Sequence, residues 1–217
     1  MSESLVVSEI FKSIQGESSH AGLPCTMIRL AGCNLNCTWC DTNFARDGRA
    51  GETMSIDAIL DGVADLGCQR VEVTGGEPLS QPATADLLRR LCLDGYTTLL
   101  ETNGTVDLQP VDARVLRIVD IKCPSSGHAD ATRWENLSLL TSGDEVKFVL
   151  ADRDDYDYAM RVLMERGLPD MVRVIFSPVA ERLDPARLAG WILEDGLDVR
   201  LGLQLHRIIW PDRERGV

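Results

Sequence analysis

The sequence predicts an α/β fold built on a parallel sheet. Three observations lead there. Short apolar runs alternate with amphipathic helical segments along the whole chain. Loops rich in Gly, Pro and Cys follow those runs again and again. At 217 residues and 44% apolar content, without a low-complexity tract, repeat or linker, the chain is sized for one cored domain spanning 1–217.

The elements follow in order. A strand is expected at 26–31 (TMIRLA), then a helix over 55–66. There Ser55 caps, and Ile56, Ile59, Leu60 and Val63 recur at helical spacing. Strand 71–74 (VEVT), helix 84–93, and strands 97–101 (TTLLE) and 117–121 (RIVDI) come next. Segment 122–144, rich in Ser and Gly, is the most irregular stretch. Strand 145–150 (EVKFVL), helix 155–166, strand 172–176 (VRVIF), helix 184–195 and strand 199–206 (VRLGLQLH) complete the series. In the last helix Asp184 caps, Pro185 takes the first turn and Gly196 stops it. Strand–helix alternation gives βαβ units, and ligands of such sheets collect beyond the carboxyl ends of the strands. GCNLNC, GGEP, TNG and KCPSS each follow a strand, so one mouth would gather them.

Composition narrows the function classes. The start, MSESLVVSEIFKSIQGE, lacks the basic flank and apolar run of a signal peptide, and no stretch approaches the roughly 20 apolar residues of a membrane span. A cytoplasmic protein with reduced thiols is expected, and seven cysteines, an odd number, argue against a disulfide framework. A net charge of −12 disfavours nucleic acid as a partner.

The chemistry is concentrated in CNLNCTWCDT, residues 33–42. Structural zinc takes four N/S ligands, and no fourth partner is evident beside Cys33, Cys37 and Cys40. A four-iron cluster usually takes four cysteines, so three leave one iron open to a substrate or cofactor. The CxxxCxxC loop, with Trp39 before its last cysteine and GGEP at 75–78, resembles the signature of the radical S-adenosylmethionine (SAM) superfamily. The resemblance implies a [4Fe-4S] cluster with three cysteine ligands whose open iron chelates SAM, so that reductive cleavage yields a 5′-deoxyadenosyl radical.

SIQGE (13–17), IRLAGC (28–33), CDT (40–42), VTGGEP (73–78), ETNG (101–104) and LQLH (203–206) together resemble the 7-carboxy-7-deazaguanine synthase family, over nearly the whole chain. The resemblance implies a shortened, modified (β/α) barrel, a homodimer, and conversion of 6-carboxytetrahydropterin to 7-carboxy-7-deazaguanine with loss of ammonia. It also implies Mg²⁺, with Thr42 as a ligand, and a flavodoxin- or ferredoxin-like electron donor. SAM contacts carried over are Trp39, Cys40, Asp41, Gly76, Glu101, Asn103, Cys123, Pro124 and Ser125, with Ser177 as a further one. Substrate contacts are Ile14, Gln15, Gly16, Glu17, Arg29, Thr74, Gln204 and His206, the last two at the end of the final strand. Arg29 inside an apolar strand asks for a carboxylate partner, from the substrate or from a nearby acid. Glu17-Ser18-Ser19 departs from the GEG common in the family. Two other readings share parts of the pattern: a glycyl-radical-enzyme activating enzyme, and a non-catalytic zinc-binding module completed by a further cysteine.

Overall fold

The computed structural model describes residues 4–217. Its strands are β1 (Ser4–Ile14), β2 (Pro24–Leu30), β3 (Glu52–Ser55), β4 (Arg70–Gly75), β5 (Thr97–Thr102), β6 (Leu116–Ile121), β7 (Glu145–Leu150), β8 (Arg173–Pro178) and β9 (Arg200–Leu201). The helices are α1 (Ile56–Leu66), α2 (Thr84–Leu93), α3 (Arg153–Arg166), α4 (Pro185–Glu194) and α5 (Leu205–Ile209). The strands form one sheet in the order β3-β1-β2-β4-β5-β6-β7-β8-β9. From β2 to β9 every pairing is parallel, while β1 runs antiparallel to both its neighbours.

The helices start and stop where local chemistry requires. Ser55 accepts from the Ala58 amide and Asp184 from the Ala186 amide, so each satisfies an orphan N–H of its first turn. Gly67 and Gly167 end α1 and α3 in the left-handed region that favours glycine. No helix among the described residues is long and apolar enough to cross a membrane.

Strand alternation gives the sheet two unlike faces. One carries Ile28, Val73, Val119, Phe148 and Phe176 into a continuous core with Ile59 of α1, Leu87 of α2, Tyr156 of α3 and Leu188 of α4. Burying each such side chain contributes roughly 1.5–3 kcal/mol. The register puts Arg29 beside Thr74, Met27 beside Glu72, and Asp120 beside Lys147 on the other face, which is polar. The sheet curls around that polar face. Leu205, just past β9, donates its amide to the Gly16 carbonyl just past β1 at 3.2 Å. This is the barrel-like curl expected, with a ladder that begins at β3 and ends at β9.

Two expectations are corrected. The sequence reading placed no strand before residue 26, yet β1 is eleven residues long. Its pairing with β2 shifts register between Val7 and Glu9, so core-facing positions switch from Leu5 and Val7 to Ile10, and the period-2 signal breaks. The expected strand 199–206 shrinks to Arg200–Leu201. Gly202 lies so close to β8 that a Cβ there would fall 2.4 Å from Ser177 Oγ, and the chain then turns into α5. Gln204 therefore precedes a helix and His206 lies within it, instead of both ending a strand.

Candidate active site

The Cys33–Cys40 loop leaves the carboxyl end of β2 and is pinned from two sides. On one side stands the GGEP turn after β4. The Glu77 amide donates to Gly32 O at 2.8 Å, and a Cβ on Gly76 would meet Gly32 O at 2.2 Å and Cys33 Cβ at 2.8 Å. Glu77 is fully buried and accepts from the Thr102 hydroxyl, the Asn103 amide and the Leu79 amide, which binds the ends of β4 and β5 together. Burial pushes its carboxyl up, against those three hydrogen bonds. Asn103 in turn donates to Asn34 Oδ1 at 2.9 Å and lies 4.0 Å from Cys33 Sγ.

On the other side is the turn after β6. Thr38 Oγ1 donates to Ser125 O at 2.8 Å, and Trp39 Nε1 to Ser125 Oγ at 3.0 Å. The Ser125 hydroxyl donates onward to Asp155, a fully buried carboxylate that also accepts from the Ser125 and Ala151 amides. Trp39 packs on Val149, Ala151 and Val179, with the Lys122 ammonium 5.3 Å from its ring centroid. Lys122 pairs with Asp120 at 2.8 Å. Cys123 points into the apolar core, so its side chain is a packing group, and Pro124 is exposed.

The three loop thiols are partly exposed, whereas Cys25, Cys68 and Cys123 are buried. Burial raises Cys33 and Cys37, and each also feels the charge of Cys40. Among the described residues only Glu17, Asp41 and His206 bring three candidate ligand atoms within 4.8 Å of one another. Cys33, Cys37 and Cys40 offer three thiols on one partly exposed loop, one fewer than a structural zinc ion takes. An iron–sulfur cluster with one open iron suits that donor set. Two buried atoms near the strands' carboxyl ends, Asp120 Oδ1 and Ser177 Oγ, have no partner among the described residues. They fit a bound molecule carrying hydroxyl or ammonium donors, as SAM does.

Deeper in the polar face, carboxylates gather around Lys147. Its ammonium donates to Glu17 Oε2 at 2.8 Å and to Glu101, with Asp120 at 3.9 Å. Burial would raise the Glu17 carboxyl, but Lys147, His206 and Gln204 bring it down to about 2. Gln204 Nε2 bridges Glu17 Oε1 and Asp41 Oδ2, both at 3.0 Å, and His206 Nδ1 stands 4.0 Å from Glu17. Thr74 donates to Glu101 at 3.3 Å. Ile14, Gln15 and Gly16 frame this cluster from the end of β1. The Gln15 amide is committed within the protein, donating to Glu72 and accepting from the Glu17 and Ser18 amides. A Cβ on Gly16 would press on His206 Nδ1 at 3.2 Å, so glycine allows the two segments to touch. Ser19 donates through amide and hydroxyl to Glu145, which gives the departure from GEG a structural use.

Arg29 pairs with Glu9 through Nε at 2.8 Å, between Phe11 and Phe44. Its terminal nitrogens have no hydrogen-bond partner among the described residues. Thr42 does not cap the turn that follows it. Its hydroxyl lies 3.7 Å from Cys40 Sγ. The tail returns to this region, with the Arg215 guanidinium 4.2 Å over the Phe44 ring.

Sequence reasoning singled out most of these residues but missed Glu9, Asp120, Lys122, Lys147 and Asp155. Asp120 and Lys147 carried the signal that identified Arg29, a charge within an apolar run.

Comparison with known proteins agrees with this geometry. The model of the radical SAM superfamily matches residues 27–179. The chain is 45% identical to the 7-carboxy-7-deazaguanine synthase of Koribacter versatilis, over 97% of this chain and 99% of that one. It is 45% identical to the synthase of Chlorobaculum tepidum, over 98% and 97%. Its fold is similar to the crystal structure of QueE from Escherichia coli, with a TM-score of 0.77 at 22% identity over 93% of this chain and 94% of that one.

Proposed function

This chain belongs to the 7-carboxy-7-deazaguanine synthase family of the radical SAM superfamily, and we propose that it converts 6-carboxytetrahydropterin to 7-carboxy-7-deazaguanine with loss of ammonia. The observation that carries this reading is one curved polar face holding an open three-cysteine loop, carboxylates suited to the N–H groups of a heterocycle, and an arginine fork suited to its carboxylate.

Cys33, Cys37 and Cys40 would hold the [4Fe-4S] cluster, and Trp39, Asp41, Gly76, Asp120 and Ser177 surround the space for SAM. When bound, the cluster and SAM supply the deoxyadenosyl radical that removes a hydrogen atom. The residues of this chain then bind, orient and exclude water. The free fork of Arg29 takes the substrate carboxylate in bidentate fashion while Glu9 fixes the Nε side. Glu17, with Gln204 and His206 beside it, receives N–H groups of the pterin. Thr74 and Glu101 bound the opposite wall, so Glu101, expected as a SAM contact, is assigned to the pterin through its bonds to Thr74 and Lys147. Ile14, Gln15 and Gly16 contribute backbone shape rather than free side chains. Ser125 acts through Trp39, and Asn103 through Asn34 and Cys33.

Thr42 would hold Mg²⁺ through its hydroxyl, and the ion would supply a hard, oxygen-seeking charge beside the substrate. Asp41, Glu17 and His206 offer a neighbouring set of ligand atoms. A homodimer and a flavodoxin- or ferredoxin-like donor complete the proposal.

Anaerobically reconstituted protein should hold about four irons. Given SAM, reductant, Mg²⁺ and the pterin, it should release the deazaguanine acid, detected by mass spectrometry. 5′-Deoxyadenosine accumulating without that product would falsify the substrate assignment and favour activation of a protein partner.

A further inference from the structure

Lys147 sits in the middle of β7 with its side chain 2% exposed, and it is buried among acids supplied by three separate segments. Glu17 comes from the loop joining β1 to β2, Glu101 from β5 and Asp120 from β6. Removing so many carboxylates from water is costly unless a cation shares their space. Neutralisation alone would not dictate the arrangement seen. The ammonium binds one oxygen of Glu17 and one of Glu101. The second oxygen of Glu17 is left for Gln204, and the second of Glu101 for Thr74.

We propose that Lys147 is a positioning residue for the reaction: by holding one oxygen of each, it turns the other oxygens of Glu17 and Glu101 toward the bound pterin. This rests on the reading given under Proposed function. An ammonium is compact and has three N–H donors, so it serves carboxylates arriving from different directions. A guanidinium is planar and wider, and it offers its donors in a rigid fork. Lysine is thus required for shape as well as charge.

The test uses reconstituted holoenzyme as wild type, Lys147→Met and Lys147→Arg. The Met variant should raise the pterin KM roughly tenfold or more, leave the SAM KM within about twofold, and keep the cluster absorbance unchanged. The Arg variant retains the charge and should fold, yet still show a raised pterin KM. If the Met variant does not fold, the Arg variant decides. A folded Arg variant with wild-type pterin KM, or a folded Met variant with wild-type pterin KM, overturns the proposal. A wild-type enzyme that makes no product overturns the reading of the reaction, and this proposal with it.

Discussion

Gly76 occupies the position where any side chain would collide with Cys33: an added Cβ would lie 2.8 Å from Cys33 Cβ and 2.2 Å from the Gly32 carbonyl. The second sequence motif thus acts as a flat support on which the cysteine loop rests. Neither contact is the far end of a flexible chain, so the loop itself would have to move. Gly76→Ala should therefore fold, because the apolar core lies on the other face of the sheet, but reconstitute with less than about half the wild-type iron. Iron analysis and the cluster absorbance check this. A variant with full iron content and normal SAM cleavage would show that the loop yields without consequence.

Glu72 supplies a prediction on stability and pH. It is buried on the polar face of β4, accepting from Gln15 Nε2 at 3.0 Å. Burial, reinforced by the charge of Glu101, pushes its carboxyl up to about 8, against Gln15 and Lys147. The folded protein then keeps a proton that the unfolded chain gives up near pH 4.5. Its contribution to stability is complete below that value and is lost as pH climbs through about 8. Glu72→Gln keeps the acceptor for Gln15 and cannot ionise. Denaturant unfolding at pH 6 and pH 9 should show the variant gaining about 1–3 kcal/mol relative to wild type at the higher pH. A difference that stays constant across that range would mean Glu72 is already ionised in the folded state.

Periodicity and caps carried the fold from β2 to α4 because those elements obey one pattern each. Ile56, Ile59, Leu60 and Val63 all face the core, and Ser55 and Asp184 both cap. β1 escaped because its register shift moves the buried set from odd to even positions halfway along. Glu9 escaped with it, since the partner of Arg29 becomes visible only once β1 is paired to β2. The final segment misled for another reason. VRLGLQLH alternates like a strand, but the close approach of Gly202 to Ser177, a tertiary contact, turns the chain into α5. At the site the cysteine triplet is local and readable. The Trp39–Ser125–Asp155 relay spans three distant segments and reads in sequence as an indole, a turn serine and a helix-start acid.

Magnesium dependence separates the two oxygen sets near Cys40. Thr42 Oγ1 has Cys40 Sγ as its neighbour at 3.7 Å and does not cap the following turn, so it is available to a hard cation. Asp41 Oδ2 already accepts from Gln204, which also holds Glu17. If Thr42 is the ligand, Thr42→Ala should raise the Mg²⁺ concentration for half-maximal activity roughly tenfold while the cluster spectrum and the SAM KM stay near wild type. Thr42→Ser, which keeps the hydroxyl, should restore the dependence. Asp41→Asn should leave the magnesium requirement in place and act on the pterin KM, because it alters the Gln204 bridge. The measurement is product formation titrated with Mg²⁺ after chelator treatment. A normal titration in Thr42→Ala together with a lost one in Asp41→Asn would move the ion to the set formed by Glu17, Asp41 and His206.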